Sequence, residues 1–463
     1  MRLKIAPVGD GVWENGVNEK LTGARRARIA AVVLVAAGPL SAQRVEYGGP
    51  TILSRGAGTL MRGGGEAIRL RPFVRLTGFY DSGLTPFSLD PQGQVPEVNH
   101  YGAAVEFGVL GYRQWRRTVL GADYRGNYRH YPAQTYFNGT DHHLALGVAH
   151  QVSRRVVMSL RQQAGVFSRS FGIPDAQGFL DPYFSPTPRN ELFDAQVYYL
   201  SSLGDVTFQM GRHWSSNLGG SGFVVRRRHA SLIGVQGWIA RGDVARRVGR
   251  NHAIGFDYDY VHFGFTRLFG TADGHGVGFN WAARLGRRWD FGVRAGAVRL
   301  EIKGLRRVTL DPVVAAILGQ TTGIEAFHSL NYLGRGDARL SRVFRRSRLG
   351  FYYSRGIHPG NGIFLTSAAE SAGVDFSYTG FRKWNLGASA GYSRLASLSE
   401  QLGSYVSYHA GGGVGYQMFR HTHFTARADA RNFEIHGSSF RRTTYHVSIG
   451  LAFSPGEVPL SLW

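Results

Sequence analysis

Residues 252–265 read His252-Ala-Ile-Gly-Phe-Asp-Tyr-Asp-Tyr-Val-His-Phe-Gly-Phe265. Ile254, Phe256, Tyr258 and Tyr260 fall on one parity, and Gly255, Asp257 and Asp259 on the other. Successive side chains of a strand turn to opposite faces, so a period of two describes a strand with one apolar and one polar face. The rhythm recurs. Val277, Phe279, Trp281, Ala283 and Leu285 alternate with Gly276, Gly278, Asn280, Ala282 and Arg284. The same holds around Leu120–Arg125, Leu144–Ala149, Leu386–Ser393 and Tyr445–Phe453. These segments run to about 10–15 residues, longer than the ~5–6 of ordinary globular strands. A tilted strand needs about 9–11 residues to cross a bilayer.

The connections come in two kinds. Tight basic ones include Gln114-Trp-Arg-Arg117, Ser153-Arg-Arg155, Gly286-Arg-Arg288, Arg345-Arg-Ser-Arg348, Phe381-Arg-Lys-Trp384 and Phe419-Arg-His421. Longer polar stretches are 85–100, 169–190, 215–230 and 303–326. Short turns at one rim and long loops at the other suit a transmembrane barrel. The expected fold is therefore all-β. It is a single antiparallel barrel of about 18 strands from Ile68 to Phe453, with 16 as the alternative, short turns on the periplasmic side and long loops outside. The near-40-residue hairpin spacing also fits propeller blades, but Gly274-His275 and Trp289-Asp290 occur once each and at the wrong separation.

Arg25, Arg26 and Arg28 precede an apolar run from Ile29 to Ala37, followed by Gly38, Pro39, Leu40, Ser41 and Ala42. A basic start, a short apolar core and a small-residue exit read as a signal peptide over residues 1–43. The run is too short for a spanning helix of roughly 20 residues. A Gly-rich segment, 44–66, would lie in the periplasm before the barrel, 67–454, and a tail, 455–463, would follow it.

The 463 residues include 64 Gly and no Cys, so disulfides and thiolate–metal sites are excluded. Mean hydropathy is −0.19, as expected when half of each strand faces lipid and half faces water. The formal charge of +23 invites a nucleic-acid reading. The Arg residues instead recur at turn spacing and form no continuous stripe, so no nucleic-acid partner is expected. Arg in the turns can pair with lipid phosphates, and Trp115, Trp289 and Trp384 beside them match an interfacial aromatic belt.

The closing segment runs Ser448-Ile-Gly-Leu-Ala-Phe453-Ser-Pro-Gly-Glu-Val-Pro-Leu-Ser-Leu-Trp463. It resembles the last strand of outer-membrane barrels, which implies insertion by the barrel-assembly machinery, with Phe453 or Trp463 as the recognised aromatic. With its Arg-Arg turns, the body resembles a group of uncharacterised Gram-negative, porin-like outer-membrane proteins. That resemblance implies an outer-membrane location and brings no known substrate.

Strand parity assigns a set of charges to the lumen: Arg69, Arg71, Arg75, Glu106, Asp123, Arg125, Arg129, Arg161, Asp257, Asp259, Arg294, Asp375, Arg427, Asp429 and Arg431. The signs nearly balance, so pairing between strands is expected before ion filtering. Asp311 and Pro312 start a short apolar helix that includes Ile317 and ends at Gly319, a candidate lid or a simple loop stabiliser. Gly387-Ala-Ser389-Ala-Gly391 matches a hydrolase string, but it lies inside an alternating strand and not at a strand-to-helix turn. His142-His143 point to opposite faces if extended, and His421 and His423 have no carboxylate neighbour. No catalytic residue, metal or cofactor is expected. The expected function is passive passage of small polar solutes across a lipid-embedded wall. A structural or adhesive barrel closed by its loops is the alternative, and a barrel hydrolase is the remoter one.

Overall fold

The computed structural model describes residues 71–454 apart from 87, 168–192, 194, 287, 310–320, 399–402 and 439. The expected leader, 1–43, the Gly-rich segment, 44–66, and the tail, 455–463, lie outside the described residues. So do Arg69 and the loop candidates Asp311, Pro312 and Ile317.

Eighteen strands form one sheet. They are β1 (Arg71–Leu84), β2 (Val98–Gln114), β3 (Thr118–His130), β4 (Gly139–Gln151), β5 (Val156–Phe167), β6 (Val197–Gln209), β7 (Trp214–Arg227), β8 (Gly234–Val248) and β9 (His252–Thr266). The second half comprises β10 (Gly270–Leu285), β11 (Trp289–Thr309), β12 (Thr322–Val343), β13 (Ser347–His358), β14 (Ser367–Tyr378), β15 (Trp384–Ser397), β16 (Ser404–Gln417), β17 (Thr422–His436) and β18 (Arg441–Phe453). Each pairs antiparallel with the next. β1 pairs with β18, with Val74 opposite Phe453 and Ser82 opposite Tyr445, so the sheet closes on itself. Closure removes the unpaired edge, the one arrangement of strands that leaves no backbone group unsatisfied in lipid.

The alternation decides which face each residue takes. On β9, Phe256 is 70% exposed, whereas Ala253 and Val261 are buried on the other parity. Phe279 on β10 sits beside Phe256 with ring centroids 5.6 Å apart, both outside. Along β18, Tyr445, Val447, Ile449, Leu451 and Phe453 are all exposed, while Arg442, Thr444, Ser448 and Ala452 are buried. From Tyr445 to Phe453 the strand advances roughly 27 Å at ~3.4 Å per residue, or about 21 Å in height at a tilt near 40°. That matches the ~25 Å apolar band of outer-membrane barrels.

Tyr and Trp mark the limits of the band. Tyr101, Tyr128, Tyr258, Tyr332, Tyr408 and Tyr445 stand outward toward the rim of the longer loops. Trp115, Trp214 and Trp384 stand at the rim of tight turns. There Arg113, Arg246 and Arg342 lie over the rings of Trp115, Trp214 and Trp289 at 5.2, 5.5 and 4.8 Å. This is the amphipathic layer that an interface between lipid and water favours.

Two expected loops are strand. Residues 215–230 contain most of β7, and 303–326 contain the ends of β11 and β12, leaving 310–321 as their connection. Likewise β2 starts at Val98, inside the expected loop 85–100. The extension of β11 explains its misreading. Phe291, Val293, Ala295 and Ala297 face out opposite Asp290 and Arg294. Beyond them the polarity reverses: Val298, Leu300 and Ile302 are buried inside, and Arg299, Glu301 and Lys303 face out. The pleat is unbroken; only the chemistry changes side. The reversal marks where the wall leaves hydrocarbon.

Candidate functional site: the inner wall

Charged side chains on the inner face lie flat across glycines. Arg335 on β12 stands opposite Gly296 of β11, Gly296 opposite Gly278 of β10, and Gly278 opposite Asp257 of β9. Neighbouring strands are about 4.8 Å apart, so the guanidinium must cross two of them to meet a carboxylate. It does so. Arg335 donates from Nη2 to Asp257 Oδ2 at 2.5 Å and also pairs with Asp259. A Cβ at Gly276 would stand 2.6 Å from Arg335 Nη1, and one at Gly278 would stand 2.9 Å from Asp257 Oδ1. Glycine at these positions makes room for the pair. Arg294 extends the network, 3.7 Å from Asp257 and 4.0 Å from Asp337.

The device repeats. Arg241 on β8 donates to Asp205 on β6 at 2.6 Å, over Gly219 of the intervening β7, where an added Cβ would strike both. Asp429 lies against Gly411, and Asp375 against Gly350. Fixed charge is thereby held on the wall and kept out of the centre.

Most of the residues assigned by parity fall into such pairs. Arg75 donates to Glu106 across β1 and β2. Asp123 accepts from Arg125 at 2.8 and 3.0 Å. Arg129 pairs with Asp141 at 3.0 Å, both side chains 6% exposed. Arg427 donates to Asp429 at 2.6 Å. Arg431 donates to Ser407 at 3.1 Å and to the Tyr405 hydroxyl, with the Phe433 ring 5.1 Å away. Arg161 is partly buried on β5, on the same parity as Gln163 and Phe167. The backbone of Arg71 pairs with Leu110. Asp81, Asp141, Asp205, Arg227, Arg241, Asp243, Arg335 and Asp337 also belong to the charged wall and were absent from the expected set. For Arg335 and Asp337 the run Gly334-Arg335-Gly336-Asp337-Ala338-Arg339 carries the signal in plain alternation.

A connection also enters the lumen. β13 parts from β12 after Arg355, the last residue paired with it. Ile357 then packs with Leu300 and Val261, on the inner faces of β11 and β9. Pro359, Gly360, Asn361, Gly362, Phe364, Leu365 and Thr366 are all buried. Ile233, between β7 and β8, donates its N–H to the Gly362 carbonyl at 3.1 Å. Phe364 packs against Leu395, Tyr405 and Phe433 of β15, β16 and β17. The segment 359–366 is thus a chord that joins distant parts of the wall. Gly360 and Gly362 hold φ of +88° and +91°, and Asn361 accepts from the N–H of Phe364 at 3.0 Å, which fixes the bend. Residues 131–138 also turn inward: Tyr131 is fully buried and donates to Asp81 at 2.8 Å, while His446 of β18 lies 2.7 Å from the same carboxylate.

The remaining candidates are placed plainly. Ser389 lies within β15, paired with Asp375 and Gly411, in regular extended register. His142 faces the Tyr124 hydroxyl outside at 3.1 Å, and His143 the Tyr199 hydroxyl inside at 2.5 Å.

No family model matches this chain, and no curated protein matches it. Among solved structures it is similar to OpdQ of Pseudomonas aeruginosa, at 9% identity and a TM-score of 0.39, covering 84% of this chain and 98% of that one. A BenF-like porin from Pseudomonas fluorescens Pf-5 gives 9% identity and a TM-score of 0.41 over 83% and 98%. Pseudomonas aeruginosa OccK2 (OpdF) in complex with glucuronate gives 10% and 0.40 over 83% and 98%. At that level neither fold nor function transfers between chains, and both rest here on the wall itself.

Proposed function

We propose that the protein is an outer-membrane channel for passive passage of small polar solutes. The observation that carries this reading is the inner wall: Arg and Asp residues are paired flat over glycines, so charge is presented to the lumen without filling it. A barrel of this size accommodates an aqueous interior, and the chord 359–366 supplies a constriction. The apolar outer band and its aromatic limits support a bilayer location, the closing strand supports delivery by the barrel-assembly machinery, and the Arg–Trp stacks support contact with lipid phosphates. No reaction is assigned to the wall. A closed structural barrel is the second reading, favoured by the burial of Phe364 and Leu365 in the chord. Planar-bilayer recording from folded protein decides between them. Stepwise ionic currents are expected, and electrical silence from protein that still shows heat-modifiable mobility would overturn the channel.

A further inference from the structure

Eight tight turns lie at the rim where the barrel begins, at Arg71, and ends, at Phe453. Four of them are two-residue hairpins, each closed by a backbone bond from its first residue to its fourth. Trp115 N–H donates to the Thr118 carbonyl at 2.8 Å, Ser153 to Val156 at 3.3 Å, Phe344 to Ser347 at 2.8 Å and Phe419 to Thr422 at 3.2 Å. The tips between them are Arg116-Arg117, Arg154-Arg155, Arg345-Arg346 and Arg420-His421. Turn geometry does not call for these residues. Hairpin tips favour Gly, Asn and Asp, which tolerate positive φ or bond back to the backbone, and none of the described basic tip residues holds a positive φ.

The sign of the charge is uniform. Each of the eight turns carries Arg, and none carries Asp or Glu. The described turn arginines are exposed, and among the described residues none forms an ion pair. Asp290, just inside the β10–β11 turn, is engaged by Arg284 at 3.3 Å. Arg346 donates to the Gly380 carbonyl at 3.4 Å, which leaves its charge unmatched. The opposite rim mixes both signs, with Asp90, Glu97, Arg228, Glu325 and Arg441.

The fold spreads these cations around a circle. Eighteen strands about 4.8 Å apart and tilted near 40° make a wall roughly 36 Å across, with successive turns about 12 Å apart along the rim. Arg113, Arg246 and Arg342, stacked on the Trp layer, precede the turn arginines by three or four residues, so the tips project past the layer that meets lipid. A folded partner docks through a buried aromatic centre. The tips offer none, because Trp115, Phe344 and Phe419 take the first positions of their turns. Separate guanidinium pairs at regular spacing fit an extended polyanion whose carboxylates recur along a chain, each taken by Arg in bidentate fashion.

We propose that the tight-turn rim binds the carboxylate-bearing peptide–glycan polymer of the periplasm and tethers the barrel to it. The proposal rests on the periplasmic placement of the short turns. It holds whether the lumen conducts or is closed.

Co-sedimentation tests it. The full-length barrel, folded in a neutral detergent without lipid, is mixed with purified peptidoglycan sacculi and spun down. Binding is expected at low salt and should weaken as salt screens the contact. Sacculi whose carboxylates have been converted to amides should retain severalfold less protein. The variant Arg116→Gln, Arg154→Gln, Arg345→Gln, Arg382→Gln should lose affinity severalfold, whereas Arg226→Gln, Arg228→Gln, Arg299→Gln, Arg441→Gln, an equal loss of charge toward the other rim, should bind as the parent does. Heat-modifiable mobility confirms that each variant is a folded barrel. Absence of sedimentation by the unaltered protein overturns the proposal. So does equal retention on amidated sacculi, or an equal loss in the two variants.

Discussion

At the residue scale, Arg335 shows how the inner wall stores charge. Its side chain is 2% exposed and is held by two carboxylates three strands away. Removing one member of a buried charge cluster leaves the others uncompensated, at a cost of about 3–5 kcal/mol. Arg335→Ala should lower the urea midpoint of the folded barrel accordingly, with most of the loss recovered when Asp257→Asn and Asp259→Asn are added. If the single variant is as stable as the parent, the cluster is not a structural tie. Gly278 belongs to the same unit, because its added Cβ would crowd Arg335 and Asp257. Gly278→Val should therefore couple to Arg335→Ala in a double-mutant cycle. The alternation at Arg335, Asp337 and Arg339 is visible in the sequence. The partner of Arg335 is not, because it is fixed by register across β10 and β11 and no local pattern encodes it.

At the element scale, β11 carries a boundary. Its outward residues are apolar up to Ala297 and charged from Arg299 to Lys303, while the inner face turns apolar from Val298 to Ile302. Ala295→Arg would place a cation on the hydrocarbon side and should cost about 2–4 kcal/mol, the penalty of a mid-membrane position on a barrel's lipid face. Arg299→Ala should change stability by less than about 0.5 kcal/mol, as an exposed site does. Denaturant unfolding from vesicles measures both, and equal effects would place the boundary elsewhere. The same reversal is why 303–326 reads as loop: a period-two pattern loses its meaning once the apolar parity swaps. β7 reads as loop for another reason. Gly219, Gly220 and Gly222 resemble a turn, yet Gly219 is there so that Asp205 and Arg241 can meet above it. Elsewhere alternation is local and strong, and the strands, their faces and the tight basic turns follow from it directly.

At the scale of the whole molecule, a closed eighteen-strand wall separates an apolar exterior from a charged interior crossed by the chord 359–366. Nothing in Pro359-Gly-Asn-Gly-Ile-Phe-Leu-Thr366 declares that it folds inward; its burial depends on Ile233, Leu395, Tyr405 and Phe433, all remote in sequence. Replacing 360–365 with a Gly-Ser linker of equal length should raise single-channel conductance severalfold, and unchanged conductance would remove the chord from the solute path. The absence of Cys from the chain allows the separation of faces itself to be read one residue at a time. On β15, Asn385 and Ser389 face the lumen, and Ala388 and Ala390 face outward. Single substitutions to Cys at these four positions, in protein folded into vesicles, can be challenged with a membrane-impermeant thiol reagent. Inward positions should react at least about tenfold faster than outward ones, since a lipid-facing thiol is shielded from water. Equal rates at all four, or faster reaction at Ala388 and Ala390, would contradict a barrel with lipid outside and water within.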